Sequence, residues 1–222
     1  MATVTYDTFY PDVLPYVPGV PEFVALNAVR NACIEFCEKT NYWQVDYDNI
    51  QNQGLDSVAS QSIYPITLPT DQELSLLMQV WYNGVLLTPK DPDTLTRLFR
   101  WCDWRQFQGQ PEFYLRTQEP NLQLIPTPTI SMPGEGWITF RASIKPTRAS
   151  TTINSEIQEH FTEAIGLGAR ARLHMTLNQP YSDAKTATDC ARLFKQKIGQ
   201  TRIRVNQGLS RALTVPEFPR YI

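Results

Sequence analysis

Two histidines and four cysteines are the side chains here best suited to metal binding or nucleophilic chemistry. His160 stands four residues after Glu156 and three before Glu163, so the three share one helix face. That face offers an imidazole and two carboxylates to a divalent ion, which is the basis for a metal-dependent enzyme. The competing reading is a solvated polar face, since a catalytic metal site needs three or more convergent ligands. His174 lies fourteen residues beyond His160, which excludes the usual paired-histidine constellations. Cys33 and Cys37 are four apart on a helical stretch with no second ligand pair nearby, so core packing accounts for them. Cys102 and Cys190 lie in or beside apolar segments without CxxC spacing, and all four cysteines are expected as reduced thiols. Gly166-Leu167-Gly168-Ala169-Arg170 has the look of a phosphate loop but sits inside a helical period with no strand before it. GxSxG, GxxxxGK[ST] and HExxH are all missing. Phe99-Arg100-Trp101 and Trp104-Arg105 offer stacking surfaces for single-stranded nucleic acid, but the acidic balance of that half favours a packed core rimmed by arginines. The expectation is a chain without catalysis, metal or cofactor.

The elements that position these residues are legible from hydrophobic period. In Ser155 to Met175, Ile157, Phe161, Ala164, Gly168, Ala171 and Met175 recur at spacings of three and four, which predicts a central helix. Asn154 or Ser155 caps its start, and Gly166 and Gly168 are expected to let another helix come close. Glu22 to Lys39, opened by Pro21, predicts a first helix with Leu26, Val29, Cys33 and Phe36 inside. A third helix follows Ser182 or Asp183, with Ala187, Ala191, Phe194, Ile198, Thr201 and Val205 inward and antiparallel to the central helix. Between the first and central helices the period changes to two. Glu73 to Leu87 predicts a hairpin about Asn83-Gly84, with Leu74, Leu76, Met78 and Val80 on one face. Ile63 to Leu68, Glu112 to Thr117, Leu122 to Ile125 and Trp137 to Ile144 read as further strands, and Thr94 to Trp101 as a short helix.

The fold class is therefore α+β: an antiparallel bundle of three main helices with an inserted small antiparallel β domain and extended terminal arms. The helical domain is discontinuous, residues 1–50 and 148–205, the β domain is 51–147, and 206–222 is an extended C-terminal arm. Met1 to Gly19, rich in aromatics and prolines, reads as a second extended arm that needs a surface to lie on.

With 222 residues, 42% of them hydrophobic, the chain can bury a substantial core. No apolar run approaches the roughly 18 residues of a membrane span, and Met1 to Asp12 does not resemble a signal peptide. A cytoplasmic product, without membrane contact, is expected. The net charge of −2 hides an asymmetry. Residues 1–147 carry 9 basic and 16 acidic side chains, or −7, and residues 148–222 carry 11 and 6, or +5. That split suits a protein that stacks on copies of itself or on a charged partner, with a solvated basic helix face as the commoner explanation of such a pattern. Lys185, Arg192, Lys195, Arg202 and Arg204 are the candidate subunit or partner interface.

The order of elements and several local phrases resemble the head-tail connector (adaptor) proteins of tailed bacteriophages, including the tail tubular adaptor of short-tailed phages. VLPYVPGVPEFVALNAVRNACIEFCEKTNYW at Val13 to Trp43 is similar to the first helix of that family and its leading arm. HFTEAIGLGARARLHM and NQPYSDAKTATDCARLFKQKI, within His160 to Ile198, are similar to its later helix pair, with VWYNGVLLTP and the GQPEFY…LQLIPTP strands as the β insertion. The resemblance implies a virion neck protein that forms a twelvefold ring of identical copies below the portal protein. It implies attachment to a downstream neck or tail protein, with DNA passing non-specifically through the lumen. It also implies that the C-terminal arm docks on the portal through Thr214, Val215, Pro216, Glu217, Phe218, Pro219, Arg220, Tyr221 and Ile222. Another neck or tail-completion ring is the alternative in the same class, and the enzyme built on His160, Glu156 and Glu163 is the one in a different class.

Overall fold

The computed structural model describes residues 2–48, 54–100, 103–116, 120–134 and 136–208. In chain order the elements are β1 (Thr3–Thr5), two 3-10 helices (Tyr6–Asp12 and Leu14–Tyr16), α1 (Glu22–Thr40), β2 (Gln44–Tyr47), β3 (Ile63–Pro65), β4 (Gln72–Tyr82) and β5 (Val85–Leu86). There follow β6 (Thr88–Pro89), α2 (Pro92–Leu98), β7 (Phe113–Arg116), β8 (Asn121–Ile125), β9 (Ile138–Pro146), β10 (Thr152–Asn154), α3 (Ser155–His174) and α4 (Ala184–Asn206). The protein is thus a mixture of helices and mainly antiparallel sheets. It divides into two compact units, Met1–Trp43 with Lys145–Ile222, and Gln44–Ile144.

The first unit is helical. Pro21 starts α1 where no N–H is needed, and Asn41, at φ 51°, ends it in the left-handed region with its N–H on the Cys37 carbonyl. Ala25, Val29, Cys33 and Phe36 are fully buried along the inner face, while Leu26 is only half-buried. The expected extended N-terminal arm is corrected here. After β1 the chain winds into 3-10 turns, because Tyr6, Phe9, Val13 and Val17 come at spacings of three and four and all four are buried once the segment coils. Pro11 and Pro15 are compatible with that winding as well as with extension, and they masked the period. β1 pairs antiparallel with β10, Val4 opposite Ile153, which ties the N-terminus to the start of α3.

Asn154 caps α3, its side-chain oxygen accepting the Glu156 N–H at 3.0 Å. From Ala164 to Ala169 every residue is buried, because α1, α4 and the first 3-10 helix all pack on α3. The single inner stripe expected for this helix is therefore too narrow: Ile165, Leu167 and Leu173 are buried off it, whereas Met175 at its end is 62% exposed. Phe161 leaves helical geometry (φ −131°, ψ 17°) and kinks α3 where its ring meets Phe36 and Tyr42. Asp183 caps α4 by accepting the Lys185 and Thr186 N–H groups, and α4 runs antiparallel to α3, so that Phe194 meets Gly168 and Lys197 meets Glu163.

The second unit holds two four-stranded sheets, ordered β2-β9-β4-β5 and β3-β8-β7-β6. Their facing side chains share one core, including Tyr64, Leu74, Val80, Leu122, Leu124, Ile138 and Phe140. The β4–β5 hairpin turns at Asn83 (φ 48°) and Gly84 (φ 74°), the two positive values a type I′ turn demands. Along β4 the buried residues are Leu74, Leu77, Val80 and Tyr82, so strict alternation fails and Leu76 is exposed. β2 was not expected; it is polar, paired antiparallel with β9, and Asp46 meets Arg141 across the pair. β6 joins β7 in parallel, against the all-antiparallel expectation. The short helix begins earlier than expected, at Pro92, because Asp91 caps it through the Thr94 N–H at 2.9 Å.

Candidate functional site

The residues singled out for metal chemistry do not converge. Glu163 is engaged by the Lys197 ammonium at 2.8 Å, and the His160 ring lies edge-on to Phe161, 6.3 Å between centroids. Among the described residues no group of three His, Cys, Asp or Glu side chains could hold a metal ion. His160, Glu156 and Glu163 are thus a helix face with a lysine on it, and the ligand set of the enzyme alternative is not assembled. Cys33 and Cys37 are buried free thiols in the core of α1, and burial pushes the Cys37 thiol up to about 12 and Cys33 well above its ordinary value. Cys190 is likewise buried, and Cys102 lies outside the described residues. Thiols so raised remain protonated at neutral pH and have little nucleophilic character.

Sequence reasoning had no signal for the role of His174. It is buried, and its Nδ1–H donates to the Tyr181 carbonyl at 2.8 Å, while its own carbonyl accepts the Asp183 N–H. Both bonds pin the α3–α4 connection.

The two glycines of α3 serve different neighbours. A Cβ at Gly168 would lie 2.9 Å from the Phe194 ring, so this glycine admits α4 as expected. A Cβ at Gly166 would lie 3.0 Å from Asp12, so it admits the N-terminal 3-10 segment and not a third long helix. Arg170 then reaches over the Tyr16 ring, 4.2 Å from its centroid.

What α4 presents outward is charge. It carries six basic residues (Lys185, Arg192, Lys195, Lys197, Arg202, Arg204) against Asp189 alone. At about 100° per residue, Lys185, Arg192, Lys195 and Arg202 fall within one arc of roughly 100°, opposite the buried Ala187, Phe194 and Thr201. All four are exposed, and their one ion pair among the described residues is Arg192 with Asp189 at 3.9 Å, two groups on the same helix. Arg204, expected with them, projects on a different side, beside Lys197, where with His160, Glu163 and Gln200 it lines a shallow cleft of about 130 Å³. The expected set of five therefore splits four to one. Gly199 lies in the middle of the arc, and a Cβ there would meet nothing within 4 Å. A helix-interior glycine costs about 1 kcal/mol against alanine, and among the described residues no neighbour accounts for this one.

The other candidate residues, Thr214 to Ile222, lie outside the described residues. Among the described residues no helix is long and apolar enough to cross a membrane.

The geometry offers helices with buried, protonated thiols inside and a basic arc outside on α4. No curated protein matches the chain at a significant level. The family described as SU10 adaptor protein matches it over residues 5–216, both units included. The chain therefore belongs to the SU10 adaptor protein family, a family of structural phage proteins.

Proposed function

We propose that this protein is a neck adaptor that assembles as a ring, twelvefold, below the portal and joins the phage head to the tail, with DNA passing through the lumen. The observation that carries the reading is the family match across residues 5–216. The three long helices act as an antiparallel bundle in the ring wall, with the β unit inserted between its first and second helices. Copies meet head to tail, a heterologous contact that closes into a ring. In that contact Lys185, Arg192, Lys195 and Arg202 face acidic groups of the next copy, with Arg204 contributing from the neighbouring flank. The open space over Gly199 supports it, since it leaves room for a neighbour's backbone. Thr214 to Ile222 dock on the portal, and the opposite side of the ring receives the downstream neck or tail protein. The family match stops at residue 216, so the role of Glu217 to Ile222 rests on their apolar and proline-rich make-up.

Deletion of Thr214–Ile222 tests the arm. The truncated chain is expected to keep its circular dichroism and thermal unfolding and to lose capture by purified portal in a pull-down. A folded truncation that is still captured contradicts the arm's role and favours another ring of the neck or tail.

A further inference from the structure

Between α3 and α4 lies an open groove of about 240 Å³ whose apolar wall is Ala171, Met175, Ala187, Ala191 and Phe194. An apolar cavity of about 150 Å³ takes a benzene ring, so the groove has room for an aromatic side chain. Arg172 and Glu35 at its edge pair with each other, whereas Lys195 forms no ion pair among the described residues. The matching features stand together at the start of α1. Phe23, in the first turn, is 70% exposed and is the most exposed aromatic among the described residues. Glu22, the residue before it, is exposed, and its carboxylate forms no ion pair among the described residues. An apolar groove with a free cation at its rim and an aromatic knob with a free anion beside it are complementary in size and in charge.

We propose that Phe23 of one copy inserts into the α3–α4 groove of the next copy, with Glu22 against Lys195. The contact deepens the head-to-tail assembly proposed above, on which it rests, by naming two surfaces that meet in it. The geometry of α1 excludes the same contact within one chain. Glu35, at the groove's edge, lies twelve residues beyond Phe23 on the same helix, about 18 Å along its axis and about 120° around it. Each chain therefore carries knob and groove on different parts of its helical unit and can offer one to each of two neighbours, as a heterologous contact requires. The two sides are built alike. Phe194 lines the groove with Lys195 one position on, and Phe23 fills it with Glu22 one position back. Burial of the Phe23 ring supplies most of the driving force, and the exposed ion pair mainly selects the partner surface. Groove against groove is disfavoured, since two Lys195 side chains would meet there.

Photocross-linking of the full-length chain tests the contact without portal present. Phe23 is replaced by p-benzoylphenylalanine, and this chain is mixed with isotopically heavy natural chain so that peptide mass spectrometry tells the two apart. Cross-links are expected on heavy peptides that hold Met175 or Ala191. Cross-links found only elsewhere, only within one chain, or not at all overturn the proposal. Sedimentation equilibrium adds a charge exchange: Glu22→Lys and Lys195→Glu are each expected to weaken self-association severalfold, and the two together in one chain to restore it, with circular dichroism unchanged. A double variant as weak as the single ones overturns the ionic pairing, and a Phe23→Ala chain that associates like the natural one overturns the insertion. Failure of portal capture leaves these readouts untouched, and cross-linked ladders that stop at two chains keep the contact while contradicting the ring, so the two readings fail separately.

Discussion

Two glycines and one carboxylate separate what a residue does for the fold from what it does for assembly. Gly168 has the Phe194 ring within 3.0 Å of where a Cβ would be, and Phe194 is itself buried, so Gly168→Ala is expected to lower stability by about 1–3 kcal/mol. Gly199→Ala, with open space around it, is expected to raise the stability of the isolated chain by up to about 1 kcal/mol. Urea unfolding of the two variants checks the opposite signs, and a loss from Gly199→Ala would mean that its surroundings are more crowded than the structure has them. Asp183 gives a pH dependence. The Thr186 hydroxyl and N–H, with the Lys185 N–H, hold its carboxyl below the ordinary value, so its contribution is present above about pH 4 and lost as pH falls through the depressed folded value. Thermal unfolding between pH 6 and 2.5 is expected to show a steeper acid-side loss in the natural protein than in Asp183→Asn. The caps at Asn154 and Asp183 were legible because capping is a local bargain between a side chain and N–H groups two or three residues on. His174 was not, because its partner, the Tyr181 carbonyl, is fixed by the turn that α3 and α4 make together.

At the scale of elements, legibility followed sequence distance and period. α1, α3 and α4 announce themselves by apolar spacing, and the β4–β5 hairpin by Asn83-Gly84 between apolar runs. β1 and β10 are three residues each and pair across α1 and the whole second unit in sequence, Thr3 opposite Asn154, so neither carries a local signal. β2 is polar enough to read as a loop until β9 lies beside it. The N-terminal turns carried a spacing of three and four that the prolines obscured. For the hairpin, Gly84→Ala isolates backbone strain, since the new Cβ would touch nothing within 4 Å yet φ is 74°. A loss of about 1–2 kcal/mol in urea unfolding is expected. An unchanged midpoint would mean that the turn relaxes to a conformation other than type I′.

For the whole molecule, family membership and charge are the informative quantities, and both were accessible before any coordinates. The resemblance rested on short apolar phrases in Val13 to Trp43 and His160 to Ile198, and the family match spans both. Residues 1–147 at −7 and 148–222 at +5 are unlike in charge, and the proposed head-to-tail contact draws on that difference. The four-cation arc on α4 is one described part of that asymmetry. The split of Arg204 from the other four was computable from the helix period, but its neighbours Lys197, Glu163 and His160 come from α3 as well as α4 and needed the packing. The most direct test of the adaptor role is electron microscopy of the purified protein mixed with the portal of the same phage, against each alone. The account predicts a ring of added density on the tail-facing side of the portal, with as many copies as the portal has subunits. Portal particles unchanged by a folded excess of this protein would contradict it.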